Sequence, residues 1–174
     1  MPAVKDYRTY AALDLAKVDA AGKDLGKGVY WKLYAIENMV RVLVHSVLTA
    51  QIGATWWATV APPWMKKEVL DRINRYANNP WHSDPGKHEV YHCLLTELIR
   101  IMGDNVNQFT PVIPQATAWV GKLEQLKLPR NVVGHMNWLS KADRQRIDVI
   151  HADIQALLKQ VASSGTVPIL IPPV

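Results

Sequence analysis

Cysteine is almost absent: Cys93 stands alone in 174 residues, so no disulfide can form within the chain and a reducing, cytoplasmic setting is expected. Phenylalanine is equally scarce, with one residue, which leaves aromatic packing and stacking to seven Trp and six Tyr. Charged residues make up 20% against 49% hydrophobic, a balance that excludes a disordered chain and provides for a proper core in one domain. No run of five like charges occurs, so the net charge of +5 admits an anionic partner without supplying a polybasic arm. The opening Met1-Pro2-Ala3-Val4-Lys5-Asp6-Tyr7-Arg8 lacks the apolar stretch of a secretory signal. Residues 42–65 contain no Asp, Glu, Lys or Arg, yet His45, Gln51, Gly53 and Pro62-Pro63 argue against a membrane span.

No segment of period two, internal repeat or low-complexity tract is visible. Helical spacing takes their place. A loose amphipathic pattern over 5–24 includes Tyr7, Tyr10, Leu13 and Ala16. The strongest pattern covers 29–52, where Leu33, Ile36, Val40, Leu43, Val44, Val47 and Leu48 recur at three- and four-residue steps. Gly53 to Pro63 reads as a turn, and 64–77 as a shorter helix with Trp64, Val69 and Ile73 inward. Asn78 to Lys87 is a loop, followed by helix over 88–103 and again between Pro114 and Leu126. Ser140 and Asp143 resemble a capping box opening a final helix to about 162. The fold class is therefore all-α, a helical bundle over 1–162, with a Pro-rich apolar tail at 163–174 that can pack on this chain or on a partner.

The chemistry concentrates in Pro129-Arg130-Asn131-Val132-Val133-Gly134-His135. Pro129 predicts a short helix over 129–138, on which Asn131 and His135 share a face as i,i+4 neighbours. Arg130 can grip a phosphate through a planar fork charged at any working pH. His135 can move protons near neutrality, and Asn131 can orient either side chain through its amide. These are the parts of metal-free RNA cleavage: a base for the 2′-hydroxyl, an acid for the leaving oxygen, a cation for the phosphorane. The same spacing also fits a solvated Arg and a capping His. Lys122, Lys127, Lys141, Arg144 and Arg146 add basic character around the motif, or simply solvate helix faces. On the apolar helix, Glu37 needs a cation: Arg130 is one candidate, and Arg41, four residues along, is the other.

Two further patterns carry chemistry-bearing residues. His88-Glu89-Val90-Tyr91-His92 matches the zinc-peptidase signature, but Pro85-Gly86 puts His88 at a helix start and no third ligand follows at a familiar spacing. The Trp residues at 31, 56, 57, 64, 81, 119 and 138 could stack bases, though packing is the commoner use, and Cys93 reads as core.

A helical bundle carrying R-N-x-x-x-H near its end resembles the HEPN superfamily (higher eukaryote and prokaryote nucleotide-binding domains). It is most similar to the HEPN module that ends the PIN-containing nuclear RNA-surveillance endoribonuclease of eukaryotes, and to bacterial relatives of that module. The likeness spans about residues 28–160. It includes Ile36-Glu37-Asn38-x-x-Arg41, Trp56-Trp57, Asn79-Pro80-Trp81-His82 running to His88-x-Val90-Tyr91, and Leu98-Ile99-x-Ile101 through Phe109. The resemblance implies a four-helix core with additional short helices, and a homodimer whose paired Arg130, Asn131 and His135 face one cleft. It implies cleavage of RNA without metal or cofactor, as in a toxin or phage-defence effector, with Glu37 and Arg41 supporting the site and an antitoxin or sensor as partner. Toxins of the superfamily that are silenced by a nucleotidyltransferase carry Tyr two residues after the motif His, where this chain has Asn137. Other members serve as dimerisation or RNA-binding modules without cutting, which is the alternative expectation.

Overall fold

The structure, a computed structural model, describes residues 6–9 and 11–173, and these are helical with connecting turns and no strand among them. A 3-10 turn at Tyr7–Thr9 precedes α1, Leu15–Leu25. The sequence predicts helix from residue 5, but Asp14 starts it instead, its side chain accepting from the Lys17 N–H. Of that predicted helix, residues 5 and 10 lie outside the described residues, as do the rest of 1–4 and Val174 of the tail. Where a break was expected, a π-helical turn at Gly26–Tyr30 carries α1 directly into α2, Trp31–Ile52. The supposed turn after it contains a short helix, α3, Trp56–Val60.

Pro63 opens α4, Pro63–Ala77, in agreement with its preference for a first helical position. Trp64 points outward, however, at 52% exposure, and Met65 is buried in its place; Val69 is buried and Ile73 half-buried, both inward as expected. The next expected helix is split. Glu89–His92 form a 3-10 turn, and α5 proper is Leu95–Asp104, with Glu97 reaching back to the Leu94 N–H at 2.7 Å. Glu97 is itself buried and ion-paired to Arg72, which fastens α4 to α5. The remaining helices are α6, Val106–Phe109; α7, Ala116–Glu124; α8, Lys127–Gly134; and α9, Lys141–Ser164. Ser140 caps α9 as its sequence suggests, and Gly165, with φ of 65°, ends it.

Helix α2 is the axis of the bundle, packed against α5, α6 and α9. Its Ile36, Val40, Leu43, Val44, Val47 and Leu48 have no exposed surface. Being apolar nearly all round, α2 buries Arg41, His45 and Ser46 as well, and each of these has found a hydrogen-bond partner. Trp56 and Trp57 join this core, whereas Trp31, Trp64 and Trp81 are exposed. Cys93 is buried there too, and burial pushes its thiol well above the usual range, so it behaves as a packing residue. Among the described residues no helix is long and apolar enough to cross a membrane.

The tail packs on this chain. Val167 and Pro172 are buried, and Leu170 exchanges hydrogen bonds with Ser46 on α2. Close by, the His45 ring meets that of His88 at 4.6 Å, and Trp56 Nε1–H donates to His45 Nδ1 at 3.3 Å. Burial lowers the His45 pKa to about 4, with His88 pushing the same way, and burial also lowers His88 against the pull of Glu89. Both imidazoles are thus neutral in the folded state near pH 7. An unfolded chain takes up these protons first as pH falls, so stability drops from about pH 6.5 down to the folded pKa of His45 and levels below it. A depression from 6.5 to about 4 corresponds to a loss of about 3 kcal/mol from His45. Urea unfolding at pH 7, 5.5 and 4 should show this slope, and His45→Gln, which keeps an acceptor for Trp56, should flatten it; an unchanged slope would contradict the assignment.

Candidate functional site

Glu37 lies on the face of α2 that looks toward α8, and its carboxylate is shared. Oε1 accepts from Arg41 Nη2 at 3.1 Å, while Oε2 stands 3.8 Å from Arg130 Nε. The two candidate partners inferred from sequence are therefore both present, and they are unequal. Arg41 is nearly buried and bonded at every guanidinium nitrogen: its Nε donates to Val90 O at 2.9 Å, Nη1 to Asn38 Oδ1 at 2.6 Å, and Nη2 also to Cys93 O at 3.3 Å. Its guanidinium sits 5.9 Å from the centre of the Tyr91 ring. Arg41 is a structural cation.

Arg130 is different. Its side chain is 35% exposed, and the long pair to Glu37 is its one ionic contact among the described residues. The guanidinium folds back over the end of its own helix, with Nη1 3.7 Å from where a Cβ on Gly134 would stand. Most of its five N–H donors remain available to an anion. It opens on a groove of about 740 Å³ whose walls include Glu37, Arg41, Tyr34, Tyr91 and Met136.

Helix α8 begins at Lys127, two residues before Pro129, and stops at Gly134, earlier than the predicted 138. His135 is its C-cap residue, with φ of −92° and ψ of 17°. The stop is made by Met136, which takes a left-handed φ of 57°. Its N–H donates to Val133 O, and the Asn137 N–H donates to Val132 O, both at 2.9 Å. This is the hydrogen-bond pattern of a Schellman cap with Met where Gly is usual, a conformation costing about 1–2 kcal/mol for a residue with a Cβ. Local strain thus sits directly beside the candidate proton-transfer residue.

Asn131 and His135 are both exposed and do not line the groove. Neither side chain makes a hydrogen bond within the described residues, so the amide orients neither Arg130 nor His135 in a single chain. Arg130, Glu37 and Arg41 are brought together; Asn131 and His135 stand outside that cluster, on the solvent side of α8. Leu128 and Met136, their near neighbours in sequence, are exposed at 77% and 81%, and Tyr34 at the groove is exposed at 65%.

The surrounding basic residues are mostly committed. Lys122 pairs with Asp153 at 2.7 Å, Arg144 with Asp24 at 2.8 Å, Arg146 with Asp143 at 2.7 Å, and Lys127 with Glu124. The mild basic concentration read from the sequence is thus largely neutralised by its own neighbours. The zinc-signature residues are committed as well. His88 Nδ1 accepts from the Val90 N–H at 3.1 Å, and His92 Nε2 is 3.0 Å from Gly86 O. Lying on a 3-10 turn rather than an α-helix, these rings do not share a face, and among the described residues no group of three potential ligands forms.

Tyr91 and Asn38 are contacts that spacing alone did not single out as site residues. Asn38 carried a signal, three residues before Arg41 on the same helix face. Tyr91 reaches the groove from the 3-10 turn. The contrast between the two arginines is measurable. Arg41→Met should cost about 2–4 kcal/mol in urea unfolding, because it strips donors from buried carbonyls and isolates Glu37. Arg130→Met should stay within about 0.5 kcal/mol of wild type, as a surface pair of this length contributes little. Equal costs would contradict the division of roles.

Comparison of the chain with protein-family models, curated proteins and solved structures returned no match.

Proposed function

We propose that the chain is a metal-independent endoribonuclease of the HEPN type, acting as a homodimer in the cytoplasm as a toxin or phage-defence effector. The observation that carries this reading is the state of Arg130: a guanidinium steadied at one edge by Glu37, otherwise free, and facing a groove. A phosphate entering that groove meets a fork of donors whose charge does not titrate. His135 follows five residues on, exposed and uncommitted.

The chemistry runs as follows. A neutral His135 accepts the proton of the 2′-hydroxyl as that oxygen attacks the adjacent phosphorus. Charge builds on the non-bridging oxygens, where Arg130 stabilises it. A protonated His135 gives its proton to the departing 5′-oxygen, leaving a 2′,3′-cyclic phosphate and a free 5′-hydroxyl. One chain holds one such His, so base and acid come from two chains. A two-fold axis beside α8 would join the two sites into one. The exposed Leu128, in the first turn of α8, and Met136, just past its end, suit a surface covered in such a pair.

A second reading has its own support. Asn131 and His135 lie apart from the Arg130 groove within one chain, and Leu128 and Met136, close to them in sequence, are exposed. A non-catalytic module that dimerises or holds RNA for a partner would use the same surface.

The deciding experiment uses labelled structured RNA in excess chelator, with wild type beside His135→Ala and Arg130→Ala. The proposal expects cutting by wild type with 2′,3′-cyclic phosphate ends, and rates lowered about 10²- to 10⁴-fold in each variant. Cutting that needs added metal would overturn it, as would equal activity in all three proteins. No cutting by any of them, with a dimer or bound RNA retained, would favour the second reading.

A further inference from the structure

The segment 165–173 leaves α9 at Gly165 and runs back across α2 toward the groove. Its prolines at 168, 172 and 173 have no N–H to satisfy and hold it extended, leaving carbonyls free to accept. Two of them do. Pro172 O accepts from the Tyr91 hydroxyl at 2.9 Å, and Pro173 O from the His88 N–H at 3.3 Å. Further back, Leu170 N–H donates to Ser46 Oγ at 2.8 Å, and Val167 is buried.

The other side of the same 3-10 turn is held by Arg41, through its bonds to Val90 O and Cys93 O. Tyr91 is the side chain that touches both holders, with its hydroxyl on the segment and its ring against Arg41. Its seat is tightly specified: at Gly86, with φ of 142°, a Cβ would stand 2.5 Å from the Tyr91 ring. From Arg41 the contacts continue to Glu37 and from Glu37 to Arg130.

We infer that Tyr91 is a positioning residue for the Arg130 groove, and that segment 167–173 is the strap that sets it. The inference rests on reading Arg130 as the phosphate-binding cation. Its physical content is the anchoring of one carboxylate. While the strap holds Tyr91, Arg41 stays in place and its grip on Oε1 fixes the Glu37 carboxylate with Oε2 3.8 Å from Arg130 Nε. When the strap loosens, Arg41 shifts, and Glu37 closes on Arg130 as a tight pair. An anion must then displace a carboxylate to reach the same guanidinium. Docking of the strap therefore keeps the groove open to phosphate.

Two full-length variants test this from different ends. Tyr91→Phe removes the hydroxyl contact and keeps the ring; Ser46→Ala frees Leu170 far from the groove. The arginine Nε–H signals of Arg41 and Arg130 in ¹⁵N-resolved NMR report the relay without any need for RNA cleavage. Both variants are expected to move the Arg130 signal in the same direction, and to weaken RNA turnover about two- to tenfold through KM, the scale of one lost hydrogen bond. In a Glu37→Gln background the same changes should leave Arg130 unmoved, because the connecting charge is gone. An unmoved Arg130 signal in both variants, with only the melting temperature lowered, would overturn the inference and leave the segment as plain packing. A moved Arg130 signal in a protein that cuts no RNA would support the relay and overturn the ribonuclease reading instead.

Discussion

Everything around the groove depends on where the Arg41 guanidinium is satisfied. It is a cation buried on the most apolar helix of the molecule, and such a charge is tolerated only with its donors occupied. Four acceptors surround it: one carboxylate, one amide and two backbone carbonyls. The two carbonyls fix the 3-10 turn at 89–92 against α2, and the carboxylate fixes Glu37. Arg41 holds Oε1 of Glu37, and Arg130 stands 3.8 Å from the other oxygen. Anchored in this way, Glu37 leaves most of the Arg130 guanidinium available to an anion.

This arrangement separates two jobs that adjacent arginines could otherwise confuse. Arg41 holds the walls of the groove, and Arg130 faces its interior. Neighbouring Lys and Arg side chains are drawn off into pairs with Asp and Glu of the same or adjacent helices. On the proposed ribonuclease reading, a ligand would meet a focused cation rather than a broad positive field, which favours recognition of a particular phosphate over loose adhesion to a polyanion. His135 is offered on the outer side of α8 by a strained cap at Met136. A residue placed there is well sited to meet a second chain, and poorly sited to act with the Arg130 of its own.

Much of the scaffold was legible because burial imposes periodicity. Helices α2 and α9 follow from their apolar steps, and Ser140 from its cap chemistry. The all-helical class follows from the lack of any alternating run. Other features were hidden for physical reasons. The patterns at 5–24 and 29–52 read as separate helices, yet a π turn at Gly26–Tyr30 joins them without interruption. Trp64 looks like core, but the phase of α4 is set by Met65 and Val69. His88 to His92 have helical spacing, yet Glu89 to His92 form a 3-10 turn held by tertiary hydrogen bonds from Arg41 and Arg72 and to the segment after α9. Met136 carries no stop signal at all, since its left-handed conformation is a cost met by the surrounding structure. In the site, Glu37, Arg41 and Arg130 could be named from charge and spacing, whereas the way Glu37 is divided between two arginines is a matter of distances. Tyr91 enters from a 3-10 turn in a stretch that reads as α-helix, so α-helical period does not place it.

The central claim is that an anionic RNA phosphate sits on Arg130 with His135 in reach, while Arg41 stays structural. The most direct measurement is an NMR titration of the protein with an RNA oligonucleotide whose sugars lack the attacking 2′-hydroxyl, following arginine Nε–H and histidine ring signals. The account expects the Arg130 and His135 signals to shift together and saturate together, with Arg41 unchanged. Binding that leaves both signals in place, or that shifts Arg41 instead, would contradict it.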